Sequence, residues 1–214
     1  MDMILSPTMC QFRFKVLEMK DTSPQEWLRV WSALYGGYDE KEYANLIAKH
    51  SLFSAEDYER IGKWKDDVRK ESQWKPNVAH VAYLIWKQAA DELPKCPQEV
   101  DVAAFLDGWS NRKYTDVFPK KSVEKRFGLS RATTLLHFVS GGRYPIFDSR
   151  VKSAVARLLN KQQLSGTTSS YLHSFLPLFQ KLADCCGCDT LDDLRMLDKA
   201  LFSYGALEAR LFST

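Results

Sequence analysis

The sequence predicts a mostly α-helical protein, and two observations support this fold class. Apolar residues recur at helical spacing along most of the chain, and capping residues, prolines and glycines mark where individual helices begin and end. A period-two pattern is confined to residues 10–18, where Phe12, Phe14 and Val16 alternate with basic residues. At most one short strand is therefore expected, near the N-terminus.

The first predicted helix shows each kind of signal. Ser23 and Glu26 form a capping box with Pro24 at the first helical position, and the glycine pair at 36–37 ends the helix. Apolar residues at helical spacing fill the interval between them. Further helices are predicted at 40–49, 55–70, 77–92, 99–109, 120–127, 131–139, 149–159, 169–183 and 191–202.

Length and composition limit the class of protein. A chain of 214 residues with 45% apolar residues is long enough to bury one substantial core, so a single helical domain over 1–214 is expected. No apolar run approaches the roughly 20 residues that cross a bilayer, and the first residues lack the pattern of a secretory signal. We expect a cytoplasmic protein without membrane contact. The net charge of +3 permits nucleic-acid binding without implying it.

The cysteines do not predict a disulfide framework or a metal site. There are five, an odd number, and three of them are crowded at Cys185, Cys186 and Cys188. Reduced thiols are expected for a chain of this size. His173 lies upstream, but neither paired Cys-x-x-Cys nor His spacing of the kind that binds zinc is present. No metal and no cofactor are predicted.

The most informative segment begins with a basic stretch. The helix predicted at 120–127 is basic, Gly128 supplies a left-handed turn after it, and Ser130 caps the next helix. Two helices joined in this way form a helix-hairpin-helix, expected at about 120–140, which presents backbone N–H groups to a phosphate. The residues expected to contact DNA here are Lys120, Lys121, Lys125, Arg126, Gly128, Ser130 and Arg131.

An aspartate follows the predicted hairpin at the start of another helix. Tyr144 precedes a proline, which favours an extended backbone, and Asp148 then lies where the next helix begins. Its carboxylate is interpreted either as a helix cap without chemistry or as a catalytic group whose ionised form the helix dipole favours. Arg150, two residues later, is expected to bind a DNA phosphate or to pair with a neighbouring carboxylate.

No catalytic role is assigned to two other charged or titratable features. His137, inside the second hairpin helix, is expected to be a packed or capping side chain. The mixed-charge run at 63–70 is interpreted as a solvated helix face, with contact to DNA as the alternative.

The order of hairpin, capped helix, glycine loop and Pro-x-x-Asp in residues 122–159 resembles the helix-hairpin-helix DNA glycosylases of the 8-oxoguanine and endonuclease III superfamily. The resemblance implies a multi-helix glycosylase-like fold, with Asp148 as the catalytic residue. It also implies double-stranded DNA as the partner, and no obligate protein partner is evident. In the transition state, an ionised Asp148 would stabilise the positive charge that develops on deoxyribose and orient the attacking water.

Two departures from the family pattern shape this expectation. The usual Leu-Pro-Gly-x-Gly hairpin is replaced by Phe127-Gly128-Leu129-Ser130, which weakens the case for metal-assisted phosphate clamping. Arg131 lies near the place where bifunctional members carry a lysine nucleophile. Because arginine stays protonated and cannot form a Schiff base, the resemblance implies a monofunctional enzyme that leaves an abasic site without cutting the strand.

The target base must leave the DNA stack, and aromatic side chains must receive it or fill the gap. The candidates on position alone are Trp109, Tyr114, Phe147 and Tyr204. Ordinary packing is the alternative for each ring. The expected substrate is a damaged or modified base, and it includes hypermodified phage bases such as glucosylated hydroxymethylcytosine, because anti-phage glycosylases are similar in size and general type. A non-catalytic helix-hairpin-helix DNA-binding module and a helical regulator without nucleic acid are the competing hypotheses.

Overall fold

The computed structural model describes residues 22–36, 38–50, 52–66, 86, 88–89, 92–93, 101–114, 125–161 and 163–211. Most of these residues are helical, so the predicted fold class is confirmed. The strand predicted at 10–18 lies outside the described residues. None of the described helices is both long and apolar enough to cross a membrane.

Nine helices and two short strands have bounds within the described part of the chain, where residues 86, 88–89 and 92 are also helical. The helices are α1 (Pro24–Ala33), α2 (Glu40–Ala48), α3 (Ala55–Lys65), α4 (Val102–Ser110), α5 (Leu129–Val139), α6 (Ser149–Leu158), α7 (Thr168–Ser170), α8 (Leu176–Cys186) and α9 (Leu191–Leu211). A π-helical segment, Tyr171–Phe175, lies between α7 and α8. The strands β1 (Lys113–Tyr114) and β2 (Lys125–Arg126) pair antiparallel.

Capping side chains begin several of these helices. The Glu26 N–H donates to Ser23 Oγ at 3.1 Å, so the predicted cap of α1 is confirmed. A full capping box is present at α3, where Ser54 and Asp57 each bond the other's backbone N–H. Each bond satisfies an N–H group that has no partner inside the helix.

The chain divides into two compact units. The described residues within 1–35, 150–165 and 173–214 form the first, here called the terminal unit. Those within 36–149 and 166–172 form the second, the central unit. The single domain expected over 1–214 stays a prediction.

Aromatic packing between α1 and α9 forms the core of the terminal unit. The Tyr204 ring contacts the rings of Trp27 and Trp31 edge to face, with centroids 5.9 and 5.1 Å apart. Gly205 follows on α9, and a Cβ at this position would lie 2.3 Å from the backbone oxygen of Arg150. The absence of a side chain therefore lets α9 approach α6 closely.

The core of the central unit joins α2, α3 and α5. The Trp64 ring packs edge to face on Phe138, with centroids 5.2 Å apart, and lies 5.8 Å from the Tyr43 ring. Gly62 on α3 leaves room for Trp86, because a Cβ there would lie 2.5 Å from the Trp86 ring. The central unit thus depends on large rings packed against small residues.

The basic helix predicted to end at Phe127 is wrong over its described part. Residues 125–126 form strand β2, and the Phe127 N–H donates to the Arg112 carbonyl at 3.0 Å. The Phe127 ring is 1% exposed. Pairing with β1 and burial of this ring outweigh the local helical pattern. Residues 120–124 lie outside the described residues, so a helix-hairpin-helix at 120–140 is not confirmed, and the expectation of no strand beyond the N-terminus is also wrong.

The predicted capping role of Ser130 is wrong as well. A Ser130 cap would start the helix at Arg131, but α5 begins at Leu129, and Gly128 occupies the capping position without a side-chain bond. Gly128 has a positive φ, at 82°, which favours glycine, but its ψ of 156° differs from the left-handed turn that was predicted. The Ser130 carbonyl accepts hydrogen bonds from the hydroxyls of Thr133 and Thr134, at 3.1 and 2.8 Å.

The solvated face predicted for 63–70 is also incorrect in its described part. Helix α3 ends at Lys65, and both Trp64 and Lys65 are buried, at 5% and 9% exposure. Residues 67–70 lie outside the described residues.

Substituting Gly205 tests the close approach of α9 to α6. The G205A change places a Cβ against backbone that cannot move aside as a side chain does, so we expect a loss of about 1–3 kcal/mol in the free energy of unfolding, measured by urea denaturation. G108A is the matched control, because Gly108 lies inside α4 with nothing within 4 Å of its Cβ position. It is expected to be neutral or stabilising by up to about 1 kcal/mol. Equal effects of the two changes would contradict the packing described here.

Candidate functional site

A buried histidine anchors the segment that leads to Asp148. His137 Nδ1 lies 2.7 Å from the Tyr144 carbonyl oxygen, and His137 Nε2 lies 2.9 Å from the Tyr43 hydroxyl. Because a carbonyl only accepts, Nδ1 carries the proton and donates it, and in the neutral ring Nε2 accepts from the tyrosine. His137 is 2% exposed, which confirms the packed side chain predicted from the sequence.

Two more side chains hold the same segment. The Tyr171 hydroxyl donates to the Pro145 carbonyl at 3.0 Å, and the Phe147 N–H donates to Thr133 Oγ1 at 3.0 Å. Thr133 belongs to α5 and Tyr171 to the π-helical segment, and both bond the backbone of the extended segment 144–147. Asp148 follows directly, so the backbone that carries its carboxylate is fixed on its N-terminal side.

The Asp148 carboxylate lies beside a buried ammonium group. Lys65 Nζ is 3.9 Å from Asp148 Oδ2, and the two side chains are 7% and 14% exposed. This separation is too long for a direct hydrogen bond, so the attraction between the two groups is mainly Coulombic. Asp148 keeps some access to solvent, and its charge is balanced by a lysine that the sequence analysis did not select.

Lys65 also lies next to an aromatic stack. Its Nζ is 5.9 Å from the centroid of the Tyr38 ring, and that ring stacks on Trp64 with centroids 4.5 Å apart. A signal for Lys65 was present in the sequence. It lies four residues after Ile61 and seven after Tyr58, which places it on the apolar face of α3.

Arg131 forms an ion pair with Asp66 in the central unit. Its Nε and Nη2 lie 3.0 and 2.9 Å from Asp66 Oδ1. The Trp86 indole N–H donates to the other oxygen of Asp66 at 3.3 Å. A DNA phosphate at Arg131 would compete with this pairing.

Among the other residues predicted to bind DNA, Arg126 is exposed, whereas the Gly128 N–H is bonded within the protein. Arg126 is exposed and donates from Nη1 to Asn111 Oδ1 at 3.1 Å. The Gly128 N–H donates to the Ser110 carbonyl at 3.0 Å, so this N–H is not presented to a phosphate. Lys120 and Lys121 lie outside the described residues, and Lys125 is described only as part of β2.

Two of the predicted base-contacting aromatics, Trp109 and Phe147, are buried against other rings of the central unit. Trp109, 5% exposed, packs near Phe127, and the guanidinium of Arg112 covers its ring at 3.7 Å. Phe147, 4% exposed, packs edge to face on Tyr171. Tyr114 is described only as part of β1.

Tyr204 and Arg150 belong to the terminal unit, whereas Asp148 belongs to the central unit. Tyr204 is 4% exposed in the core described above. Arg150 is exposed, and its guanidinium lies 4.6 Å from the centroid of the Phe202 ring.

The thiols of Cys186 and Cys188 are buried, which disfavours their thiolate forms. Burial raises the pKa of the Cys186 thiol to about 11, and burial together with neighbouring negative groups raises that of Cys188 to about 12. Cys185 is disulfide-bonded, so the expectation of reduced thiols is wrong for this residue. In the part of the chain that the structure describes, no three His, Cys, Asp or Glu side chains come together as a metal site.

Comparison with protein-family models, with curated protein sequences and with solved structures finds no match to this chain. The function is therefore inferred from the site and from the sequence.

Two neighbouring threonines test the anchoring of the segment before Asp148. T133V removes the acceptor of the buried Phe147 N–H, and we expect it to lower the free energy of unfolding by about 1–3 kcal/mol. T134V is the matched control, because Thr134 is equally buried but its hydroxyl bonds only the Ser130 carbonyl of its own helix. Urea denaturation of both variants measures the difference. If T134V is as costly as T133V, the bond to Phe147 does not anchor the segment.

Proposed function

We propose that this protein is a monofunctional DNA glycosylase in which Asp148 is the catalytic carboxylate. One observation carries the proposal. A partly exposed carboxylate stands at the start of α6, after a segment held by buried hydrogen bonds, and an ammonium group lies 3.9 Å away. Carboxylates held in this way are typical of sites that stabilise a developing charge without reorganising.

The chemistry requires a negative group beside the sugar. As the N-glycosidic bond breaks, positive charge develops on deoxyribose, as in other glycoside hydrolyses. The ionised Asp148 stabilises this cation and orients the water that attacks it. Electrostatic stabilisation of this charge is its main role.

The product is an abasic site in an intact strand. Arg131, near the position where bifunctional enzymes carry a lysine, stays protonated and does not form a Schiff base. Its ion pair with Asp66 supports a structural role for its side chain. We expect strand cleavage only after alkali treatment.

Basic residues bind the DNA backbone in this proposal. Arg126 and Arg150 are exposed, which suits phosphate contacts that added salt weakens. Arg131 contributes less to affinity, because it would have to give up its pairing with Asp66. The substrate is a damaged or modified base in double-stranded DNA, and the glucosylated hydroxymethylcytosine of phage DNA is included in this class.

A panel of duplexes tests the proposal. Each duplex carries one uracil, 8-oxoguanine, hypoxanthine, hydroxymethylcytosine or glucosylated hydroxymethylcytosine, and alkali after incubation reveals abasic sites as strand breaks. D148N is expected to slow excision at least about 100-fold while changing DNA affinity little, because the carboxylate acts in the transition state.

D101N is the matched control for this experiment. Asp101 caps α4 through a bond to the Ala104 N–H at 3.0 Å, and asparagine caps a helix about as well as aspartate. D101N should therefore excise at the wild-type rate. DNA binding by the wild type without any abasic product would instead indicate a non-catalytic DNA-binding module, and failure to bind any duplex would indicate a regulator without nucleic acid.

A further inference from the structure

Tyr43 and His137 form a buried hydrogen-bonded pair that joins α2 to α5. The Tyr43 hydroxyl lies 2.9 Å from His137 Nε2, and the two residues are 8% and 2% exposed. On the other side of the ring, Nδ1 lies 2.7 Å from the Tyr144 carbonyl oxygen. A chain of hydrogen bonds therefore runs from α2 through the imidazole to the segment that precedes Asp148.

The geometry of this pair fixes which nitrogen of His137 carries the proton. A neutral imidazole has one N–H group and one acceptor nitrogen. When the Tyr43 hydroxyl donates to Nε2, the proton stays on Nδ1, which donates to the Tyr144 carbonyl. In the other tautomer, the lone pair of Nδ1 would face the carbonyl oxygen, and the two acceptors would repel each other. The tyrosine hydroxyl therefore supports the bond that holds residue 144.

The loop between α5 and the segment closes over this pair. The Gly142 N–H donates to the His137 carbonyl at 2.8 Å, and Gly142 has a φ of 88°, which favours glycine. A Cβ at Gly142 would lie 3.6 Å from the Tyr43 hydroxyl and 3.9 Å from His137 Cε1. The backbone of the loop therefore packs on both side chains. Removing the hydroxyl takes a donor away from a buried nitrogen, which is more costly than the same loss at the surface.

We propose that Tyr43 is a positioning residue for Asp148 and acts through His137. The tyrosine hydroxyl keeps the imidazole N–H directed at the Tyr144 carbonyl, and the extended segment then fixes the backbone of Asp148. Neither Tyr43 nor His137 touches the reacting atoms in this proposal. The inference rests on the proposed glycosylase function only because it takes Asp148 as the catalytic carboxylate.

Hydrogen exchange in the full chain, measured by NMR, tests the positioning without any substrate. Y43F removes the hydroxyl and keeps the ring, so the Phe147 N–H, which is bonded to Thr133 Oγ1, should exchange about tenfold faster. The N–H of Leu106, a buried residue in the middle of α4, is the reference and should change less than about twofold. Equal acceleration at both positions would mean that the hydroxyl only stabilises the fold, and it would overturn the proposal.

Y58F is the matched control, because it removes the hydroxyl of another buried tyrosine in the central unit. Tyr58 is 3% exposed and packs edge to face on Phe53. Burial raises the pKa of the Tyr58 hydroxyl to about 12, so the control variant also loses a hydroxyl that has little access to water. Y58F should change the exchange of Phe147 and Leu106 by the same factor. Selective acceleration at Phe147 in Y58F would contradict the assignment to Tyr43.

Excision kinetics test the consequence for Asp148. On the base identified by the duplex panel, Y43F should lower kcat about tenfold and H137L about 100-fold, with KM unchanged, because a displaced carboxylate affects the transition state more than binding. H137N should recover part of the rate, since its side-chain amide places an N–H group near the position of Nδ1. A loss that appears in KM, with kcat unchanged, would contradict the proposal.

A double variant shows whether Tyr43 acts through the imidazole. In H137L the tyrosine has no imidazole to direct, so adding Y43F should change neither kcat nor the exchange of Phe147 any further. Additive losses overturn the proposal. If H137L does not fold, as judged by circular dichroism, the same comparison is made in H137N, which also lacks Nε2. A wild-type protein without excision on any duplex contradicts the glycosylase, whereas the exchange comparison still decides whether Tyr43 positions the segment.

Discussion

The candidate site depends on the hydrogen bonds that hold residues 144–147. A segment before a helix is normally free to move, because its backbone groups find partners in water. Here His137, Thr133 and Tyr171 supply buried partners to successive backbone groups of the segment. Each bond is costly to break because it would leave a polar group unsatisfied in the protein interior. The position of Asp148 follows from this constraint, and so does any chemistry assigned to it.

The candidate site contains two opposite charges, the Asp148 carboxylate and the Lys65 ammonium group. A carboxylate with little access to water needs a nearby positive charge, and a buried lysine needs a nearby negative one. Lys65 Nζ lies 3.9 Å from the carboxylate. Cleavage of a glycosidic bond develops positive charge on the sugar, and the negative charge of Asp148 links the geometry to the proposed function.

Features that depend on neighbouring residues were predicted correctly from the sequence, whereas features that depend on residues far apart in the chain were not. The N-terminal cap of α1 and the start of α6 were predicted from neighbouring residues, and the structure confirms both. The basic helix ending at Phe127 was wrong because β2 pairs with β1, which lies about a dozen residues earlier in the chain. Asp148 was selected from its local context, whereas Lys65, which lies beside it, comes from a distant part of the chain and was not selected.

The sequence by itself determined the mostly helical class, most of the helix positions and the place of Asp148 at a helix start, because periodicity and capping act within a few residues. Only the tertiary structure decided which partner balances that carboxylate and which rings are buried. Trp109 and Phe147 show this, since their burial depends on neighbours from other elements. The physical reason is that packing and charge pairing join residues far apart in the chain, where no local pattern records them.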